Sequence, residues 1–396
     1  MTQKVSRLAL GAVAAALVAA PSMVAAQSTF GGQPVTLPPA VEYAAPKTTT
    51  TFIVEDGGTG RYQKISQALN EAKDGDVIKV HSGVYNEPGL LIDKSVTIMS
   101  DEQGDRRPIV RVSGKKPCLS QIGRDVDTFV ANMVFVAGSE SCIVVNNGEF
   151  TMRDSAVFDT DNLPARMGHI LSDERITYAP VSGAGKATVV STGQAPAQLV
   201  EVNGGRVDLS GNIVHGGTQA AIAISKTANN MGSGPSGVTL SRNVIQHSKL
   251  HGVLIDGSVN VNFVSNVISD NGNKNSATVR RRNNNRKSNN QAATDESNGG
   301  YGIYNVGYGA VDITSNQVLS NANGIYLGDE SSHVSLQGNI VTGNKANAIV
   351  VRTSLVSQGG NNVSAPRGNS CAIIDHTTAG VFSDRDRRSS GKVCRN

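Results

Sequence analysis

Asparagine returns at a fixed interval along the second half of this chain. Asn243 and Asn266 stand 23 residues apart, and so do Asn316 and Asn339. From Asn266 to Asn316 the interval is 50, and the excess of 27 coincides with a polar basic stretch that includes Arg280, Arg281 and Arg282. From Asn212 to Asn243 it is 31, and the excess of 8 coincides with the loop-like run from Ala228 to Gly237. Upstream, Asn132 and Ser155 are again 23 apart. Each repeat reads as a glycine, an alternating apolar strand, a turn, the asparagine and another apolar strand. A unit of this size cannot bury its apolar face alone, so copies must stack. Equivalent strands then pair in parallel at about 4.8 Å, which makes the chain all-β and a parallel β-helix.

The asparagine column suits such a stack. In a turn the residue tolerates left-handed backbone, and its amide can bond the coils on either side. The composition agrees: tryptophan is absent and aromatics make up only 4% of residues, so the core must come from short β-branched strands. The two open ends of a stack are exposed sheet edges that need covering. At the front, Ile65, Ala68, Leu69 and Ala72 share one face of a short capping helix. At the back, Cys371 and Cys394 would close a loop over the last coil. With Cys118 and Cys142 they make an even set, as expected of disulfides in an exported chain, although four cysteines allow three pairings. No CxxC spacing or histidine cluster suggests zinc, and no metal ligand is assigned.

The start of the chain carries Lys4 and Arg7, an apolar run from Leu8 to Ala20, and Val24-Ala25-Ala26 before Gln27. This reads as a signal peptide over 1–26, implying a secreted or periplasmic protein. No later run approaches the length of a membrane span. Residues 27–50 read as a linker, 51–384 as the β-helix domain with a disordered basic insertion at 270–300, and 385–396 as a tail closed by a disulfide. The formal charge of +4 falls to +2 without Lys4 and Arg7. The insertion from Asn271 to Gly300 carries +4 by itself, which leaves the body at −2. That balance argues against a nucleic-acid partner.

With the helix and ladder in view, one segment resembles the opening of pectinesterase-type and other pectin-lyase-fold proteins. It runs through Gly57-Gly58-Thr59-Gly60, Tyr62, Ile65, Ala68-Leu69, Asp74-Gly75-Asp76 and Gly83-Val84-Tyr85 with Glu87. The later repeats resemble the right-handed β-helix repeats of polysaccharide lyases, alginate epimerases, glycosidases and noncatalytic relatives. The resemblance implies a single-stranded right-handed parallel β-helix with a short N-terminal capping helix. As partner it implies a polysaccharide, and an acidic one suits the basic insertion. The sequence lacks the Gln-Asp-Thr and Asp-Phe-Ile-Phe-Gly segments of pectinesterases and the Asp-Pro-His-Asp segment of alginate epimerases, so the reaction does not follow from the fold.

Alternation assigns side chains to faces. Val253, Ile255, Ile303, Ile325, Leu327, Ile349 and Val351 should point inward. One outward column then holds Leu254, Tyr304, Tyr326 and Val350, and the next holds Asp256, Val306, Gly328 and Arg352. Tyr304 and Tyr326 on adjacent coils, about 5 Å apart, would make an aromatic platform on which a sugar ring could stack, and with Tyr301 and Asp256 they are the expected substrate-binding residues. For lyase or epimerase chemistry, Arg352 would neutralise a uronate and His251 or Tyr304 would serve as base or acid. Arg352 lies three coils from His251, about 14 Å, so the two would act on different sugar units. Paired carboxylates for a hydrolase are not evident, since Asp256 and Asp329 are too far apart. No cofactor is expected. Calcium is the one the pattern leaves room for, around Asp154, Asp159 and Asp161.

Overall fold

The computed structural model describes residues 43, 50–57, 60–100, 107–112, 114–159, 195–225, 237–272, 299–331, 333–366, 371–377 and 392–395. All of these belong to one unit, Thr36–Asn396. The expected signal peptide, almost all of the linker and most of the basic insertion lie outside the described residues.

Each coil of the chain passes through three parallel sheets in turn. Sheet A has eleven strands, from Thr51–Val54 to Val356–Gly359. Sheet B has ten, from Val84–Glu87 to Asn362–Val363, and sheet C has eleven, from Leu90–Ile92 to Lys392–Arg395. Lys392–Arg395 was expected in a tail beyond the domain. It is instead the last strand of sheet C, paired with Cys371–Asp375. One continuous apolar core fills the interior and contains all seven of the side chains assigned inward above. Each fully buried Val, Ile or Leu of such a core contributes roughly 1.5–3 kcal/mol.

The asparagine period proves to be two ladders. In the turn from sheet A to sheet B, Ser155, Asn212, Asn243, Asn266, Asn316, Asn339 and Asn361 stand in file. In the turn from sheet B to sheet C, Ser248, Asn271, Asn321 and Asn344 do the same. The backbone N–H of Asn243 donates to Asn266 Oδ1 at 2.9 Å, and Asn243 Nδ2 donates to the same oxygen at 3.0 Å and to the Leu209 carbonyl at 2.8 Å. The pattern repeats up the file, so the buried amides within it are satisfied by the coils on both sides.

Two details differ from the sequence reading. The left-handed residue is the one before the ladder position, as at Arg242, Ser265 and Ser315, with φ of 54–57°. The ladder residue itself is not left-handed. Asn132, at φ 56°, is equivalent to Asp154 and not to Ser155, because Val134 pairs with Ala156. That coil is therefore 22 residues long, and Met133 occupies the ladder place, its N–H donating to Ser155 Oγ at 3.1 Å. A third excess, the span 160–194, separates Ser155 from Asn212. Ser155 N–H nevertheless bonds Asn212 Oδ1 at 3.0 Å, so the ladder continues across it.

The helix Ile65–Glu71 covers the front end, with Ile65, Ala68 and Leu69 buried. Its first turn is held by Glu87, a buried carboxylate from the first strand of sheet B. Glu87 accepts the Ile65 N–H at 2.7 Å and the Ser66 N–H at 3.4 Å. Negative charge at a helix start is favourable. Tyr43 lies against the outer face of sheet A, its ring edge-on to Phe129 at 5.2 Å and its hydroxyl donating to Asp154 at 2.5 Å.

The disulfides are Cys118–Cys142 and Cys371–Cys394. The first joins neighbouring coils inside the core, where both cysteines are fully buried. The second ties the last two strands of sheet C on its outer side, half-buried.

Candidate functional site

Sheet C presents the candidate residues because of a bend at the start of its strands. At Gly252 and Val253 two successive positions face the core. A Cβ on Gly252 would lie 2.7 Å from Asn271 Nδ2 and 2.9 Å from Ile268 Cγ2. Gly302 and Gly324 meet the same ladder through Asn321 and Asn344, which is why glycine is the second residue of each of these strands. The consequence is that His251 and Leu254, three residues apart, both look outward.

Register then aligns the outer face. Leu254 pairs with Tyr304, Tyr304 with Tyr326, and Tyr326 with Val350, as the alternation predicted. The pairs Ile255–Asn305, Asn305–Leu327 and Leu327–Val351 put Asp256, Val306, Gly328 and Arg352 in the next column. His251 and Tyr301 stand in the column on the other side.

The rings form one stack. His251 and Tyr304 have centroids 4.5 Å apart at 20°, and Tyr304 and Tyr326 have centroids 4.8 Å apart at 24°. Tyr301 fits alongside, 5.3 Å from Tyr304 and 5.5 Å from Tyr326. Rings lying side by side in one plane could not approach so closely, so they stand upright and share faces along the axis. The faces of Tyr304 are spent on its neighbours, and beyond Tyr326 the column is closed by buried Val350. What Tyr304 and Tyr326 offer outward is therefore ring edge and hydroxyl, not the flat platform that the sequence suggested.

His251 is only 9% exposed. Burial pushes its pKa down to about 4, so the ring is neutral across the physiological range. Its Nδ1 accepts the Tyr301 backbone N–H at 3.3 Å, which places the ring proton on Nε2. Neither nitrogen is then ready to accept a proton. Asp256 is exposed and Arg352 half-buried. Three strand pairings separate the His251 strand from the Arg352 strand, so His251 and Arg352 do not converge.

Of the aspartates considered for calcium, Asp154 accepts the Tyr43 hydroxyl and Asp159 accepts the Gly217 N–H at 2.8 Å, while Asp161 lies outside the described residues. Among the described residues no three His, Cys, Asp or Glu side chains converge as metal ligands.

A polar group on the same face escaped the sequence reading. Glu201 stands in the Leu254–Tyr304 column, two strands before Leu254. Ser141 Oγ donates to its Oε2 at 2.9 Å, and Asn203 Nδ2 donates to its Oε1 at 3.0 Å. Asn203 also reaches Asn146 Oδ1 at 3.2 Å. The signal was present in the ladder: extending the alignment from Asn212 back to Ser155 across 160–194 places this strand beside Ala220–Ile224.

A family model described as right-handed beta helix region matches residues 199–384. Among solved structures, a rhamnogalacturonan lyase aligns with 10% identity over 87% of this chain and 84% of its own, with a TM-score of 0.53. The pectate lyase Pel9A aligns with 12% identity over 88% and 78%, with a TM-score of 0.51. The chain is a right-handed parallel β-helix of the pectin-lyase-fold type. None of the curated proteins matches its sequence. At 10–12% identity the likeness is one of fold, and the chemistry of the β-helix has to be argued from its own side chains.

Proposed function

We propose that this β-helix is an exported protein that binds a polysaccharide along the outer face of sheet C. The observation that carries the reading is the register-matched file of Tyr304 and Tyr326, flanked by Asp256 on one coil and Arg352 on another. Two tyrosines in register, with a carboxylate at one end of the file and a guanidinium at the other, suit a polymer that presents hydroxyls along its length. Two solved structures of the same fold are named as lyases of rhamnogalacturonan and pectate, which supports a polysaccharide as the ligand class. Arg352 suits an acidic sugar at its end of the face. Two disulfides, one of them sealed in the core, support export to an oxidising compartment.

Binding without turnover is the reading that His251 favours. A general base must present a free nitrogen to the proton it removes. Here Nδ1 is held by a backbone amide, and burial stabilises the neutral ring. Arg352 is too distant to neutralise a uronate at the same sugar.

The test is calorimetric titration of the protein with acidic and neutral glycans, with parallel assays for unsaturated product and new reducing ends. The expected result is saturable binding to at least one glycan, weakened about tenfold by Tyr304→Ala, or roughly 1.4 kcal/mol, with no product formed. Product formation from any glycan would overturn binding without turnover. Absence of binding across the panel would overturn the reading as a whole.

A further inference from the structure

One patch on the outer face of sheet A is apolar and sealed from water. In the early strands of that sheet the outward residues, matched by register, are Val77, Thr97, Phe129 and Thr151 in one column and Lys79, Met99, Ala131 and Arg153 in the next. Val77 and Ala131 are 0% exposed and Met99 is 4% exposed. Their inward neighbours Ile78, Ile98 and Val130 belong to the central core, whereas Val77, Met99 and Ala131 form a separate cluster with Phe129 and Tyr43. Further along, the first column continues as Asp208, Thr239, Asn262 and Asp312, so the apolar character is confined to the strands beside Tyr43. A buried apolar patch on an outer face marks a contact surface.

The patch fits a phenol. The Tyr43 ring stands edge-on to Phe129 at 5.2 Å, and its hydroxyl donates to Asp154 Oδ2 at 2.5 Å. Asp154 is itself braced: its backbone N–H donates to the Ser210 carbonyl at 3.0 Å, and the buried Arg107 guanidinium donates to its own carbonyl. Burial and the bond to Asp154 push the Tyr43 phenol above its ordinary value, which keeps the hydroxyl a donor. Seven residues later the chain is fixed again. The Thr50 N–H donates to Asp76 Oδ1 at 3.2 Å, and the Thr50 carbonyl accepts the Val77 N–H at 3.0 Å. From the first strand of sheet A, Thr51–Val54, the strand Asp127–Ala131 is three steps away, about 14 Å, and Glu149–Arg153 is four, about 19 Å. Seven residues reach at most about 25 Å, so the two anchors take up more than half of that reach.

From this geometry we infer that the patch is the docking site of the segment preceding the β-helix, with Tyr43 as its anchor. The polypeptide ahead of the domain is thereby tied across the strands of sheet A and departs beside the fourth and fifth of them, away from the helix-capped front end. Residues 27–50 are then not a free spacer along their whole length. The ligand face proposed on sheet C is a different surface, and the docking does not depend on it.

Trypsin reports on the contact through Lys47, which lies between the two anchors. Cleavage there requires the segment to lift, and its rate follows the population of the lifted form. The readout is the initial rate at which a new N-terminus at Thr48 appears, followed by mass spectrometry on the whole protein. Tyr43→Ala is expected to raise that rate at least tenfold. Tyr43→Phe and Asp154→Gly each remove one partner of the hydroxyl bond, and each is expected to raise it about threefold. Glycine suits the left-handed backbone of Asp154, at φ 46°. The double variant should be no faster than either single one, because both remove the same bond. Circular dichroism and the unfolding midpoint establish that each variant is folded, as expected for a patch outside the central core. A rate within twofold of wild type in Tyr43→Ala would overturn the docking. Slow cleavage that quickens on dilution, in a protein that sediments as a dimer, would place the Tyr43 of a second copy in the patch and overturn it equally. Independent, multiplying effects of Tyr43→Phe and Asp154→Gly would overturn Asp154 as the partner of the hydroxyl.

Discussion

Replacing Asn266 by alanine removes one rung from the middle of the longer ladder, and the structure sets the size of the effect. Asn266 Oδ1 is the acceptor for the Asn243 backbone N–H at 2.9 Å and for Asn243 Nδ2 at 3.0 Å. Asn266 Nδ2 donates to the Leu240 carbonyl at 2.7 Å and to Asn316 Oδ1 at 2.9 Å. All three asparagines are essentially inaccessible to water, so solvent does not replace the lost partners. The Asn243 N–H and the Leu240 carbonyl are the groups most directly deprived. At about 1–3 kcal/mol for each buried group left unsatisfied, the loss is about 2–6 kcal/mol. Guanidinium denaturation of wild type and Asn266→Ala measures it. Asn262→Ala provides the control, since Asn262 is exposed on sheet A and should stay within about 0.5 kcal/mol of wild type. A loss below about 1 kcal/mol for Asn266→Ala would refute the claim that the ladder holds the coils together.

Acid should destabilise the protein before its carboxylates protonate. Burial depresses His251 to about 4 and, with the nearby His247 charge, His215 to about 3, against 6.5 for a free histidine. Both are neutral when folded, so their stabilisation is complete above pH 6.5 and is lost as pH falls toward the folded values. At pH 5 the loss is about 2 kcal/mol for each, read as a fall in the urea midpoint between pH 7 and pH 5 that is halved in His215→Gln. Gly324→Ala should destabilise by about 1–3 kcal/mol in thermal melts, because its Cβ would stand 2.2 Å from the Ala348 carbonyl oxygen. Reductant without denaturant should open Cys371–Cys394 while leaving the buried Cys118–Cys142 intact, as thiol labelling and peptide mapping would show. The Cys118→Ala/Cys142→Ala variant should lose about 3 kcal/mol, the closure entropy of its loop.

The repeat, the inward faces and the outer columns of sheet C were legible in the sequence because they follow from period-two alternation and one repeated residue. The turn geometry was less so. A left-handed residue before the ladder position is Arg242 in one coil, Ser265 in the next and Gly338 in a third, a variety that hides the pattern. The 22-residue coil at Asn132 shifted the alignment by one, since an asparagine there happened to stand 23 from Ser155. Glu201 was missed because 160–194 interrupts the repeat just before its strand. The burial of His251 was also not legible: its neighbours in sequence say nothing of Tyr301 and Tyr304, which arrive one coil later. Nor could alternation show which way the tyrosine faces turn, since that depends on the 4.5 and 4.8 Å stacking between coils.

Hydroxyl-radical footprinting of the protein with and without a saturating glycan tests the central claim most directly. Tyr304 and Tyr326 report on the outer face of sheet C, while exposed Val264 on sheet A and exposed Ile340 on sheet B report on the other two faces. The expected result is reduced oxidation of Tyr304 and Tyr326 with Val264 and Ile340 unchanged. Protection of Val264 or Ile340 with Tyr304 and Tyr326 unaffected would place the ligand on another face and contradict the account.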